Sequence, residues 1–362
     1  MAIQPFLKKT VRKESKVDEE LKKLLEEKKA HIKVVGSGGA GNNTITRMMQ
    51  IGIEGVYTIA VNTDAQDLLY SDADFKLLIG KELTSGLGAG GDPKVGMEAA
   101  KESKEDIRKM LEGTDLLFLT CGLGGGTGTG SLPVIAEIAN KMGILTIGVV
   151  TLPFEMEGQL RMKNAKEGLD NLRKFVDTLI VIPNDRLLDI VPDVSLTTAF
   201  KIADEILVNA VKGVAELITK PGLINLDLAD VKAVMRNGGI AMVGLGESDS
   251  DDRSFEAVEK ALANPLLELD IEGATGALIN VTGGKDLTMR EAQDVVESIS
   301  SRLSEDAKII WGAMLDPELG DAIRVMLVIT GAKPKEEFIK KEKIVSKKKS
   351  IIEEELGIQF LE

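Results

Sequence analysis

Apolar residues along this chain come in short continuous runs, separated by glycine-rich turns and by stretches of helical spacing. The run 31–35 predicts a buried strand, 36–41 a glycine-rich turn, 42–50 a helix that stops near Gly52, and 56–61 a second strand. That is a βαβ unit, and its repetition predicts a mostly parallel sheet covered on both faces. The alternation continues with a helix over 95–112, a fully apolar strand over 116–120, a helix from 131 to about 143, and strands over 144–151 and 178–182. From 195 to 220 the pattern is one long helix, with Ala199, Ile202, Ala203, Ile206, Ala210, Val214, Leu217 and Ile218 near helical spacing. Pro221 and Gly222 stop it.

The stretch 223–330 changes character, with strand-like runs at 240–245, 276–282 and 325–330 and helices over 255–263 and 288–303. The expected fold class is therefore α/β: a Rossmann-like parallel-sheet domain joined by a long central helix to a smaller α+β domain. The boundaries read as a charged arm over 1–30, the Rossmann-like domain over 31–194, the central helix over 195–221 and the second domain over 222–331. Residues 332–362 read as a Lys/Glu-rich linker that ends in an apolar peptide at 356–361.

Composition narrows the function. The 362 residues carry 45 basic and 58 acidic side chains, a net charge of −13, which repels phosphate backbones and argues against a general nucleic-acid binder. Aromatics make up only 3%, too few for a stacking platform. The single cysteine, Cys121, excludes an intrachain disulfide, and the single histidine, His31, excludes a multi-histidine metal site. Both read as structural, as does Trp311. No apolar run spans a bilayer and the arm lacks a signal-peptide core, so direct membrane insertion is not expected and a cytoplasmic location is.

The chemistry lies in three glycine-rich stretches, 36–41, 86–91 and 122–130, expected at the C-terminal ends of strands, where open α/β sheets bind ligands. Glycines let backbone N–H groups approach phosphate oxygens, and the helix that follows adds its positive end. The shared ligand is expected to be a phosphate-bearing nucleotide. Gly36, Gly38 and Gly41 formally match the dinucleotide fingerprint, with Asp64 near the position of a ribose-binding acid, which keeps a nicotinamide-dependent dehydrogenase open. Such an enzyme needs a catalytic acid or base in the second domain, and no histidine is available there. The run 124–130 is far too glycine-dense for a turn between a strand and a helix, and points to a polyphosphate wrapped from two sides. A Walker A motif and its lysine are absent.

The loop 124–130 resembles the signature loop of the tubulin/FtsZ family. Residues 36–43, 62–64, 86–91, 153–161, 183–185 and 222–230 also resemble FtsZ segments, in the family's order, and the resemblance over 31–330 is closest to archaeal FtsZ. It implies GTP and GDP as ligands, with Mg²⁺ bound through phosphates and water rather than by protein ligands. By the resemblance, Gly38, Gly39, Ala40, Gly41, Asn42, Ala89, Gly90, Gly91, Gly126, Thr127, Gly128, Thr129 and Gly130 line the phosphates. Glu157 and Arg161 lie over the ribose, Asn43, Asn184 and Asp204 read the guanine, and Phe200 packs on it. A carboxylate suits guanine, whose N1–H and N2–H₂ donors adenine lacks.

Asp227 and Asp230, read alone, are two carboxylates capping a helix start. The resemblance implies instead that Asn225, Asp227 and Asp230 dock on the nucleotide of a neighbouring subunit and orient the attacking water. It thus implies a GTPase that polymerises head to tail into the filaments of a mid-cell division ring beneath the membrane. A membrane-tethering or regulatory partner would take the tail peptide. A non-hydrolysing relative of the same superfamily is the other reading, and the presence of both Asp227 and Asp230 argues against it.

Overall fold

The structure, a computed structural model, describes residues 30–334 apart from 191–194, 221, 225, 265, 267, 268, 272 and 273. The expected arm and most of the expected linker and tail, including 356–361, lie outside the described residues. In chain order the first domain runs β1 (Ile32–Ser37), α1 (Gly38–Ile51), β2 (Val56–Asn62), α2 (Ala65–Tyr70), β3 (Phe75–Leu78), α3 (Lys81–Thr84), α4 (Pro93–Glu102) and α5 (Lys104–Leu111). It continues with β4 (Leu116–Gly122), α6 (Thr127–Lys141), β5 (Leu145–Leu152), α7 (Gln159–Leu172), β6 (Thr178–Pro183) and α8 (Asp185–Ile190). The central helix is α9 (Leu196–Thr219). There follow α10 (Leu228–Met235), β7 (Gly239–Ser248), α11 (Arg253–Leu262), β8 (Leu269–Asp270), β9 (Gly276–Gly283), α12 (Met289–Ser300), β10 (Lys308–Leu315), β11 (Ile323–Thr330) and β12 (Lys333–Pro334).

Ten strands make one sheet in the order β10-β9-β11-β7-β6-β5-β4-β1-β2-β3. Its first-domain half, 3-2-1-4-5-6, is all parallel and doubly wound. Apolar runs such as Leu116–Gly122 are buried on both faces, as a parallel sheet under two helical layers requires. One layer contains α1 and α9, packed on Ile32, Val34, Phe118, Ile147 and Ile180. The other contains α4 to α7, packed on Val35, Leu117, Leu119 and Val150. The second domain is not a separate sheet, because β7 continues the first sheet by pairing parallel with β6 from Thr178↔Gly239 to Ile180↔Ala241. Beyond it β11 runs antiparallel to both β7 and β9, while β10 runs parallel to β9.

The structure moves several expected boundaries. α1 starts at Gly38 rather than 42, and α6 at Thr127 rather than 131. In both, residues of poor helix propensity form the first turn, because close packing there leaves no room for larger side chains. The helix expected over 95–112 is broken at Ser103, whose Oγ accepts from Gly80 N at 3.1 Å. Two strands of the ten-stranded sheet escaped the pattern, edge strand β3, only four residues long, and β10, which contains Gly312, as did the two-residue strand β8. Residues 333–334, expected in the linker, pair with β8.

The central helix has 24 residues, about 36 Å at 1.5 Å per residue. Ser195 caps it, accepting from Thr198 N at 3.2 Å. Ala203, Leu207, Val211 and Val214 face the same core as Leu278, Met326 and Val328 of the second domain, so one helix seals both halves of the sheet.

Candidate active site

The C-terminal ends of β1 and β4 are neighbours in the sheet while their helices leave to opposite faces, which makes this edge the switch point of the doubly wound order. Both following helices begin there, and neither has a side-chain cap at Ser37 or Gly126. Their first N–H groups are therefore available to an anion.

The glycines are set by steric exclusion. A Cβ on Gly128 would stand 2.7 Å from Ser37 O, one on Gly38 2.9 Å from Gly128 N, and one on Gly126 2.9 Å from Asp92 N. A Cβ on Gly130 would come within 2.0 Å of Pro93 O, so α6 and α4 touch backbone to backbone. The loops are also tied by hydroxyls, Ser37 Oγ to Ser131 Oγ at 2.6 Å and Thr63 Oγ1 to Thr127 Oγ1 at 2.7 Å. The second glycine stretch follows α3 rather than a strand directly. It joins the cradle through Ala65 N to Gly86 O at 2.9 Å and Gly88 N to Thr63 O at 3.1 Å. Gly38, Gly39, Ala40, Gly41, Ala89, Gly90, Gly91, Gly126, Thr127, Gly128, Thr129 and Gly130 thus fall on three stretches that meet at one sheet edge.

The expected base-binding residues gather beside this cradle. Phe200, on the first turns of α9, meets Phe154 edge to face with centroids 5.3 Å apart and leaves 39% of its surface exposed. Asp204, one turn on, is largely buried against Thr44 of α1. Burial pushes its carboxyl up to about 6, and the hydrogen bond with Thr44 pulls the other way. Asn184 is buried with Oδ1 lacking a partner, an acceptor that suits the N–H donors of a purine such as guanine. Asn43 is exposed, whereas Asn42 is fully buried. Glu157 and Arg161 pair at 2.8 Å, and a Cβ on Gly124 would stand 2.8 Å from Arg161 O, which sets this pair on the signature loop.

Asp64 does not behave as a ribose-binding acid. Its Oδ1 caps α2, accepting from Gln66 N at 2.9 Å and Asp67 N at 3.1 Å. Sequence reasoning passed over Asp67, whose carboxylate accepts from Asn62 at 2.6 Å and Asn42 at 3.1 Å. The only signal was an acid inside the first helical turn after a family-like segment.

A divalent cation fits this cradle. Its glycine loops offer backbone N–H groups and no lysine like that of a Walker motif, and the carboxylates Asp64 and Asp67 stand beside Gly88 and Gly39. Hard oxygen donors of this kind suit Mg²⁺. Among the described residues no group of three or more His, Cys, Asp or Glu gathers to hold a metal, so a bound cation would take most of its ligands from phosphates and water.

The acidic loop lies elsewhere. Asp227 and Asp230 are exposed and cap α10 reciprocally: Asp227 Oδ1 accepts from Asp230 N at 2.8 Å, and Asp230 Oδ2 from Asp227 N at 3.2 Å. Ile224 pairs with Ala313 of β10, and Leu226 N donates to Leu217 O at 3.4 Å. Asp227 is therefore held beside residue 217, 13 residues along α9 from Asp204. That is roughly 20 Å along the axis. Within one copy the carboxylates and the cradle do not meet. Asn225 lies outside the described residues. Cys121 is buried, which pushes its thiol pKa up and leaves it unreactive, and Trp311 packs in the second-domain core.

Comparison with known proteins agrees with this geometry. Residues 31–192 match the tubulin/FtsZ family GTPase domain and residues 239–333 the FtsZ family C-terminal domain. The chain is 62% identical over 321 residues to cell division protein FtsZ 1 of Methanocaldococcus jannaschii, spanning 89% of this chain and 88% of that one. It is 61% identical to the FtsZ 1 of Thermococcus kodakarensis, spanning 89% and 86%. Among solved structures, an empty FtsZ dimer from M. jannaschii superposes with a TM-score of 0.84 at 62% identity, covering 88% of this chain and 92% of that one. With a glycine cradle at the switch point and matches across both domains, the chain belongs to the FtsZ cell-division branch of the tubulin/FtsZ family, and its first domain is that family's GTPase domain.

Proposed function

We propose that copies of this chain stack head to tail, and that GTP held in the cradle of one copy is hydrolysed when the acidic loop of the next docks on it. The observation that carries this reading is the separation of the two half-sites by roughly 20 Å along α9. A contact between two different surfaces of one subunit does not close, so it builds filaments. The solved dimer of the M. jannaschii relative supports self-association.

In this mechanism the uncapped starts of α1 and α6 take the phosphates, Phe200 covers one face of the base, and Asp204 and Asn184 accept from guanine donors. Reciprocal capping engages one oxygen of each acidic side chain, so Asp227 Oδ2 and Asp230 Oδ1 take no hydrogen bond from the described residues. They are free to orient, and take a proton from, a water in line with the γ-phosphate. Asn225 joins them in this role. Asp64 and Asp67 are the carboxylates that would help hold Mg²⁺ or its waters beside the phosphates, and when bound it would supply charge neutralisation at the phosphoryl oxygens.

Loss of the γ-phosphate removes part of the surface on which the acidic loop docks, which couples assembly to turnover. The filaments would form the division ring beneath the membrane, tethered through residues 356–361 by a partner protein. No helix among the described residues is long and apolar enough to cross a membrane. The test is phosphate release from GTP and from ATP with Mg²⁺ over a range of protein concentrations. Turnover per subunit is expected to be specific for GTP and to rise above a threshold concentration. Turnover independent of concentration would overturn the shared site.

A further inference from the structure

The cradle carries a charge that phosphate binding by itself would disfavour. A Cβ on Gly39, in the first turn of α1, would stand only 3.9 Å from Asp67 Oδ2. That oxygen takes the side-chain amides of Asn62, at the end of β2, and of Asn42, in the first turn of α1. The same carboxylate therefore clamps two segments that line the phosphates. Its orientation is fixed, because a carboxylate only accepts and both amides must turn their NH₂ ends toward it. As a result Asn42 keeps a buried Oδ1 with no partner. Asp67 Oδ1 takes no hydrogen bond from the described residues, and among them no Lys or Arg pairs with it. A half-buried, unpaired negative charge beside a polyphosphate repels it unless a cation intervenes.

We propose that Asp67 is a positioning residue that makes nucleotide binding by this chain depend on a divalent cation, through its charge rather than through its hold on the two asparagines. This rests on the GTP-binding reading and assigns it a residue. Asp64 is the weaker candidate, because its Oδ1 is already engaged as a helix cap.

The test is equilibrium binding of a fluorescent methylanthraniloyl GTP to the full chain, in MgCl₂ and in EDTA, with melting temperatures measured alongside. The wild-type chain is expected to bind more tightly with Mg²⁺. Asp67→Asn, which keeps an oxygen for the amides but loses the charge, is expected to bind about tenfold more tightly in EDTA and to lose most of the gain from Mg²⁺. Asp67→Glu keeps the charge while disturbing the clamp, and is expected to retain the Mg²⁺ gain even if the asparagine variant fails to fold. Equal weakening of Asp67→Asn in both conditions, an unchanged Mg²⁺ gain in Asp67→Asn, or loss of the gain in Asp67→Glu would overturn the charge role. If the wild-type chain binds the analogue in neither condition, the GTP reading itself falls and this inference with it.

Discussion

The two ends of α9 meet the rest of the molecule in opposite ways. At its start, Phe200 and Asp204 join a cradle whose shape is dictated by missing side chains, with backbone packed on backbone at Gly38, Gly128 and Gly130. At its end, Asp227 and Asp230 stand exposed after a loop whose Leu223 and Ile224 bond to Ala313 of β10 and whose Leu226 bonds to Leu217. The first is a preformed cradle with no room for a Cβ at Gly38, Gly126, Gly128 or Gly130. The second is an exposed pair of carboxylates whose hydrogen bonds among the described residues are to each other's backbone N–H groups. On the proposed reading the two are complementary surfaces, one that binds and one that acts, and a second copy would bring them together.

The contrast can be broken most severely at the cradle. Gly130→Ala places a carbon where Pro93 O now stands, and is expected to cost about 3 kcal/mol or more and to abolish GTP binding. Urea unfolding and nucleotide binding together check it. Next in size is Asp230→Asn, which keeps the side-chain oxygen that caps α10 but lowers its basicity. GTP turnover is expected to fall by about a hundredfold or more while GTP affinity and stability stay near wild type. A parallel loss of affinity would place this residue in the pocket of its own chain.

Asp204→Asn is expected to weaken GTP by about ten- to a hundredfold, since it trades an acceptor for a donor facing guanine donors. The pH profile sharpens this. Burial holds Asp204 at about 6 in the nucleotide-free chain, and guanine favours the ionised form. GTP affinity is therefore expected to fall as pH drops through 6, with protons released on binding near that pH. Titration calorimetry in two buffers reads the release, and Asp204→Asn should lack it. The smallest effect belongs to Arg161→Ala. The Arg161 side chain is half exposed, so the change is expected to cost under about 1 kcal/mol of stability, read by thermal melting.

Much of the cradle was legible because it is built from glycine, and a run of glycines at a strand end has few explanations. The same glycines hid the starts of α1 and α6, because low helix propensity reads as loop where tertiary packing imposes a first turn. The alternating runs carried the first-domain sheet. They missed β3, four exposed or half-buried edge residues, and the joining of the two domains into one sheet, because pairing of residues 61 positions apart leaves no local pattern. Asp227 and Asp230 satisfy an ordinary capping box, so local chemistry alone explains them, and their role rests on the family and on their distance from the cradle. Asp67 was silent because a single acid on a short helix is unremarkable until its neighbours are known.

The most direct measurement mixes two defective chains. Asp204→Ala keeps the acidic loop but fails to bind GTP at a concentration that saturates the wild-type chain. Asp230→Asn keeps the cradle but lacks the carboxylate. Each alone should show little turnover. If neighbouring copies complete the site, about a quarter of the contacts in an equimolar mixture join an intact cradle to an intact acidic loop, and phosphate release should recover to that level. A mixture no faster than its two components would show that cradle and carboxylates do not meet between copies.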